Sequence, residues 1–417
     1  MSGPVSNNVF RSSGVVASAA GGLSWQDVVT ASTVTVSAGK GYPINTTSNT
    51  CTITLPSSAE AGDQIIFVDY ARTWGTYKII IDSNGLNYQG EADTYTVEYD
   101  TSGQTVSIVY SGATVGWIPE SDVDVTDAPV ALTQKAIFGY GYTTTEVSMT
   151  NLCNSSGVIA TDVTGVGTAR KQVAAAGYGT DKAIFAYGTT GSATAISNLV
   201  SNSGVVATDT SGVGTARFAL KAAEYGVGLA IFAYGTTGSN VSMSNLVTNA
   251  GVIGTDVGGV GTARGYLGAA QYGTDKAIFG YGYTSGVVSM SNLVSNVGVV
   301  ASDVGGVGTA RNGISASGYG RDKAIFAYGY SGGNLSMSNL VTNVGVIGAD
   351  VSGVGTARYS MPGAVYGGDK AVIAYGNDGS KVSMKNLVSN TGVVAADVTG
   401  VGTARAELAA AGYSATA

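Results

Sequence analysis

Six consecutive segments of one length dominate this chain. Aligned on the alanine of "AIF" and its equivalents, they fall at Ala136, Ala183, Ala230, Ala277, Ala324 and Ala371, each step 47 residues with no insertion. Six periods from 136 end at Ala417. The second unit shows four short pieces: "KAIFAYG" (182–188), "TAISNLVSN" (194–202), "GVVATDTSG" (204–212) and "ARFALKAAEYG" (216–226). Apolar and small residues alternate with polar ones, and Gly, Asn or Ser punctuates each junction, as strands and turns require. No piece repeats apolar residues at i, i+3, i+4 and i+7 over three turns, which excludes amphipathic helices.

A period in the forties with four strand-like pieces is the signature of a β-propeller blade. The innermost strand of every blade crowds the central axis and needs small side chains. Residues 173–177 read Val-Ala-Ala-Ala-Gly, 267–270 Leu-Gly-Ala-Ala and 408–412 Leu-Ala-Ala-Ala-Gly, which meets that need. The array begins on a second strand ("KAIFGYG", 135–141) and finishes on an inner one ("ARAELAAAGYS", 404–414). The last strand is therefore expected to complete the first blade, leaving no open sheet edge. The expectation is an all-β chain with six closed blades over 135–417.

Composition excludes several chemistries. There is no His, so His-ligated zinc or copper and Ser–His–Asp relays are ruled out. Basic residues number 20 against 27 acidic, net −7, without a basic run, so nucleic acid is not an expected partner. No apolar run approaches the roughly 18 residues of a membrane span, and "MSGPVSNNVFRSSGVVASAAGGLSW" lacks the apolar core of a signal peptide. A non-secreted protein without membrane insertion is expected. Cys51 and Cys153 read as small buried thiols, since the positions equivalent to Cys153 are Val200, Val247, Val294, Val341 and Val388. Neither a metal nor another cofactor is expected.

Ahead of the repeats, 26–118 carries alternating stretches "STVTVS" (32–37), "TCTITL" (50–55), "DQIIFVDY" (63–70), "YKIIID" (77–82), "YTVEY" (95–99) and "TVSIVY" (105–110). With turns at Asn84-Gly85 and Ser102-Gly103, they predict a small antiparallel sandwich or barrel. Residues 119–134, "PESDVDVTDAPVALTQ", read as an acidic linker, and 1–25 as an anchoring arm.

Two resemblances attach to these residues. The repeats resemble Kelch blades: an apolar strand ending in glycine, a polar strand, a Thr-containing turn, then "AR" before a small-residue inner strand. They depart from Kelch in carrying "GYG" or "AYG" and no Trp; Trp25, Trp74 and Trp117 all precede the array. The front stretch from "ITLPSSAEAGDQIIFVDYARTWGT" to "GWIP" resembles a domain of tailed-bacteriophage fibres and appendages. That resemblance implies a virion surface protein, a homotrimer, bound to other virion proteins through the arm.

"GVGTAR" stands identically in all six units, at 165–170, 212–217, 259–264, 306–311, 353–358 and 400–405. It mimics a phosphate-cradling loop but lacks the following Lys-Ser/Thr and helix. Each copy ends eight residues after an Asp: Asp162/Arg170, Asp209/Arg217, Asp256/Arg264, Asp303/Arg311, Asp350/Arg358 and Asp397/Arg405. A ring of six anion sites is one reading. Structural turn pairs between one blade's outer strand and the next blade's inner strand are the favoured one, because geometry forces a residue to recur whereas a single site needs non-repeated residues.

Variation concentrates in two places per unit. One follows the first piece: "YTTTE" (142–146), "TTGSA" (189–193), "TTGSN" (236–240), "YTSGV" (283–287), "YSGGN" (330–334) and "NDGSK" (377–381). The other follows the Arg: Lys171-Gln172, Phe218-Ala219, Gly265-Tyr266, Asn312-Gly313, Tyr359-Ser360 and Ala406-Glu407. In an antiparallel blade both emerge on one face. Candidate ligand-binding residues there are Tyr142, Phe218, Tyr266, Tyr283, Asn312, Tyr330, Asn334, Tyr359, Asn377 and Asp378. Aromatic platforms with amides and carboxylates suit sugar rings; drift in exposed loops is the alternative. The non-repeated acids Glu146, Glu224, Asp378 and Glu407 are scattered over three of the units, so the carboxylate pair of a glycosidase is not expected, nor any catalysis. The expected function is adhesion to a host-surface polysaccharide, with ligand-free virion decoration or a lectin-like module outside phage as alternatives.

Overall fold

The computed structural model describes residues 23–91, 97–121 and 134–414, and every regular element among them is a strand. No helix among them is long and apolar enough to cross a membrane. The chain divides into two compact units, Met1–Pro129 and Val130–Ala417. Most of the arm (1–22) and of the linker (122–133) lies outside the described residues.

Among its described residues the first unit has nine strands: β1 (Ser24–Trp25), β2 (Thr33–Thr35), β3 (Lys40–Ile44), β4 (Cys51–Thr54), β5 (Gln64–Asp69), β6 (Ile79–Asp82), β7 (Val97–Tyr99), β8 (Thr105–Tyr110) and β9 (Trp117–Pro119). They form two sheets, β1-β3-β5-β8-β9 and β2-β4-β6-β7, around one apolar core. The antiparallel expectation is corrected here. The pairs β1–β3, β3–β5, β2–β4 and β4–β6 are parallel, and only the later pairs are antiparallel. Strands β1 to β6 alternate between the two sheets, so each intervening strand serves as the crossover that returns the chain in the same direction. Alternating hydrophobicity is the same in both cases and carries no sign of direction. Ser24 and Trp25, read as arm, pair with Lys40 and Gly41. Strand β3 escaped the sequence reading because Gly41 and Pro43 look like loop residues; Gly41 is needed because a Cβ there would overlap the Trp25 ring. In the appendage-like stretch, buried Asp69 accepts hydrogen bonds from the backbone N–H of Thr73 (3.0 Å), Trp74 (3.1 Å) and Gly103 (2.8 Å), tying two loops together.

Among its described residues the second unit contains six three-stranded antiparallel sheets. Five take an inner, a middle and a further strand in chain order, as in Ala174–Tyr178, Lys182–Ala186 and Ser197–Val200. The sixth is completed across the chain: Ala409–Tyr413 pairs with Lys135–Gly139. The third piece of each repeat (204–212 in the second), expected as a strand, does not form a continuous one. It touches its sheet through isolated bridges such as Val200↔Val206 and Ser197↔Thr210, because the Asp-containing stretch turns its polar groups to the neighbouring unit.

Inner strands contact one another in cyclic order, the last meeting the first. Alanine and glycine make this approach possible, as the small-residue runs predict. Six apolar clusters fill the spaces between adjacent sheets, and the one that joins Ala364, Tyr366 and Val372 to Ala136, Phe138 and Cys153 links the last unit to the first. Two backbone rings reinforce the cycle. In one, Gln172, Ala219, Tyr266, Gly313, Ser360 and Glu407 each donate an N–H to the carbonyl of the preceding member, at 2.7–3.2 Å, with Gln172 closing onto Glu407. The other runs through the opposite turns: Gly226 N–H to Asp275, Gly273 to Asp322, Gly320 to Asp369, and Ser414 back to Asp181.

Cys51 and Cys153 are free and buried. Burial pushes the Cys51 thiol up to about 11 and the Cys153 thiol up to about 12. Thiolate is the reactive form, so the native chain is expected to leave both thiols unlabelled by a disulfide reagent at pH 8. Both should titrate once urea unfolds it; rapid labelling of the native chain would contradict the burial.

Candidate functional site

The repeated Arg and Asp are best followed through one copy. Arg264 is fully buried. Its Nε donates to the Tyr281 carbonyl (2.9 Å), Nη1 to the Thr262 carbonyl (3.1 Å) and Nη2 to Asn292 Oδ1 (2.7 Å), while its guanidinium lies 4.3 Å from the Tyr234 ring centroid. The carboxylate facing it belongs to Asp303, with Nη1 3.9 Å from Oδ1. This corrects the pairing drawn from sequence. Asp162 pairs with Arg405, and Arg170, Arg217, Arg311 and Arg358 pair with Asp209, Asp256, Asp350 and Asp397. The partners lie one unit apart because each GVGTAR turn reaches the next sheet before its Arg enters the core. Asp303 also takes the backbone N–H (3.0 Å) and hydroxyl (2.6 Å) of Thr262, and the Asn292 amide (2.9 Å). A Cβ at Gly261 would overlap that carboxylate and the Asn292 amide, which is why the turn keeps its second glycine. The Thr262 N–H and hydroxyl and all three Arg264 nitrogens donate to groups of the protein itself, the arrangement of a joint between sheets.

That joint predicts an acid sensitivity. Burial alone would raise the Asp303 carboxyl, but the bonds from Thr262 and Asn292 and the Arg264 charge outweigh it and hold the group below its ordinary 3.8; the other five behave alike. A carboxyl depressed in the folded state adds stability above its unfolded value and loses it as pH falls through the folded one. The thermal midpoint should therefore drop below pH 3.8, and less steeply in Asp303→Asn. Equal slopes for the two proteins would remove the carboxylates as the cause.

The varied positions behave differently. The two varied segments pair with each other: Gly265 with Tyr283, Asn312 with Tyr330 and Tyr359 with Asn377. Five sequence candidates, Tyr266, Tyr283, Asn312, Tyr330 and Tyr359, line one cleft of about 370 Å³ together with Gln172, Gly313, Ser360 and Glu407. Tyr283 and Tyr330 are each 39% exposed. Tyr330 meets Tyr359 with ring centroids 5.5 Å apart at 53°. Burial raises the Tyr266 phenol, with Gln172 opposing that shift.

The other five candidates do not line it. Tyr142 is covered by two ammonium groups, Lys171 Nζ at 4.0 Å and Lys381 Nζ at 4.8 Å from its centroid. Phe218 is half-buried and bridges to Thr236; Asn334 pairs with Tyr330 as the chain turns back. Asn377 and Asp378 spend their side-chain oxygens on the backbone N–H of Gly379 and Ser380.

Sequence reasoning passed over Gln172, Ser360 and Glu407. Their signal was present: each is the second residue after the Arg, in register with Tyr266 at steps of 47. All six residues of this register have φ between 53° and 59°, and only Gly313 among them is glycine. Left-handed backbone costs an L-residue about 1–2 kcal/mol, so the ring stores strain at the base of the cleft.

Below it, two small axial cavities share Lys221, whose ammonium burial lowers to about 8. Glu224, raised to about 7 by burial with the Gly177 N–H opposing, lies outside the cleft. Among the described residues no three metal-ligating side chains come together. Compared with known proteins, the chain matches no family model and no curated protein.

Proposed function

We propose that residues 135–417 form a closed six-bladed propeller of the Kelch-like plan. In this reading it is carried by a bacteriophage virion appendage and binds a host-surface polysaccharide in the cleft between Tyr266, Tyr283, Tyr330 and Tyr359. The cyclic order of inner strands, the pairing of Ala409–Tyr413 with Lys135–Gly139 and the two backbone rings support the propeller. The observation that carries the function is the gathering of four tyrosines with Asn312, Gln172 and Glu407 in one cleft. Flat aromatic faces take the apolar face of a sugar ring, and the amides and carboxylate take its hydroxyls. Glu407 is the one acidic residue lining that cleft, whereas hydrolysis of a glycosidic bond needs two. The reading is therefore binding without turnover.

The front unit supplies the attachment in this proposal, through the stretch resembling fibre domains and the arm before it, as a trimer on the particle surface. Several weak sites on one particle then act together, which multiplies effective affinity without new contacts. The test is calorimetric titration of the full chain with purified bacterial surface polysaccharides. Saturable binding that ends when Tyr283 and Tyr330 are removed supports the reading. Absence of binding to the whole panel and to host cells would leave a decoration protein.

A further inference from the structure

Tyr142, in the first repeat, shows what a tyrosine at this repeat position can hold. Tyr142, Tyr283 and Tyr330 occupy the same place in their units, separated by multiples of 47. Tyr142 is occupied by the protein's own cations: Lys171 Nζ sits 4.0 Å and Lys381 Nζ 4.8 Å from its ring centroid, and Glu146 holds Lys171 at 3.3 Å. This is an ammonium group on an electron-rich ring beside a carboxylate, a combination that binds cations well when water is displaced.

Tyr283 and Tyr330 have no such cover. They stand 39% exposed over the cleft, and no lysine lines it. What they do share with Tyr142 is a carboxylate: Glu407 lines the same cleft. Its Oε2 is buried without a hydrogen-bond partner, and so is Oε1 of Gln172. Buried acceptors, a carboxylate above all, are normally paired. Two orphaned acceptors and open tyrosine faces call for a group that only donates and carries positive charge.

Building on the glycan reading above, we infer that the cleft selects an ammonium-bearing sugar, such as a free amino sugar. Its cation lies over Tyr283 and Tyr330 and donates to Glu407 and Gln172. A neutral N-acetyl sugar supplies one donor and no charge, and an acidic sugar brings repulsion to Glu407.

The experiment is calorimetric titration of the full chain with glucosamine trimer, N-acetylglucosamine trimer and choline, for the wild type and Glu407→Gln. Glu407 contributes its backbone N–H to the axial ring, and its side chain has no partner at Oε2, so the variant should keep its thermal midpoint. The expected result is glucosamine trimer bound about tenfold more tightly than its N-acetyl form, the preference vanishing in Glu407→Gln. Equal affinities in the wild type overturn the inference while leaving a glycan site standing. Choline bound with the same dependence on Glu407, and neither sugar bound, keeps the ammonium site and defeats the glycan reading. No binding of any of the three defeats both.

Discussion

Arg264→Ala lowers the unfolding free energy of the repeat array by about 3–5 kcal/mol, the usual cost of removing one partner of a buried charged network. The side chain is fully buried, and its loss strands the Tyr281 and Thr262 carbonyls and Asn292 Oδ1. It also uncovers the Tyr234 face and leaves Asp303 without its counter-charge. Arg264→Lys recovers only part of this, because one ammonium cannot reach three acceptors lying in different directions while stacking on a ring. Urea denaturation followed by far-ultraviolet circular dichroism measures both. Tryptophan fluorescence does not, since all three tryptophans precede the array. A loss under about 1 kcal/mol, typical of exposed ion pairs, would mean that the joint is not a structural requirement and would reopen the anion-site reading.

Replacing Tyr283, Tyr330 and Tyr359 together by Ala reduces glycan affinity by more than about a hundredfold, from about 3 kcal/mol of lost anchoring. The three rings supply most of the aromatic wall, and Tyr330 and Tyr359 brace each other. Stability should change little, because Tyr283 and Tyr330 are already well exposed and neither belongs to an inter-sheet core cluster. Tyr142→Ala is the matched control: the same residue type, at the same repeat position, but covered by Lys171 and Lys381. Calorimetry on the triple variant and the control, beside their thermal midpoints, separates a binding wall from a general need for tyrosine on this face. If the control loses as much affinity as the triple variant, the cleft is not where the ligand sits.

By itself the sequence determined the parts of this protein that every unit must share. A constant period, small residues near the axis and the phase of the first and last strands sufficed to predict that Ala409–Tyr413 would complete the sheet of Lys135–Gly139. Each of those features is dictated by local geometry repeated six times, so the signal adds up along the chain. The structure decided what depends on which unit stands next to which. Asp303 answers Arg264 rather than Arg311 because the turn between them crosses to the neighbouring sheet, and spacing along a chain is silent about such a crossing. The parallel pairs of the front unit were hidden for a like reason, as strand alternation is blind to direction. The cleft was half legible: variation pointed to its face and to five of its residues. Gln172, Ser360 and Glu407, held in left-handed backbone, and the covering of Tyr142 by Lys171 of its own unit and Lys381 of the last one, depend on tertiary packing that the sequence pattern does not spell out.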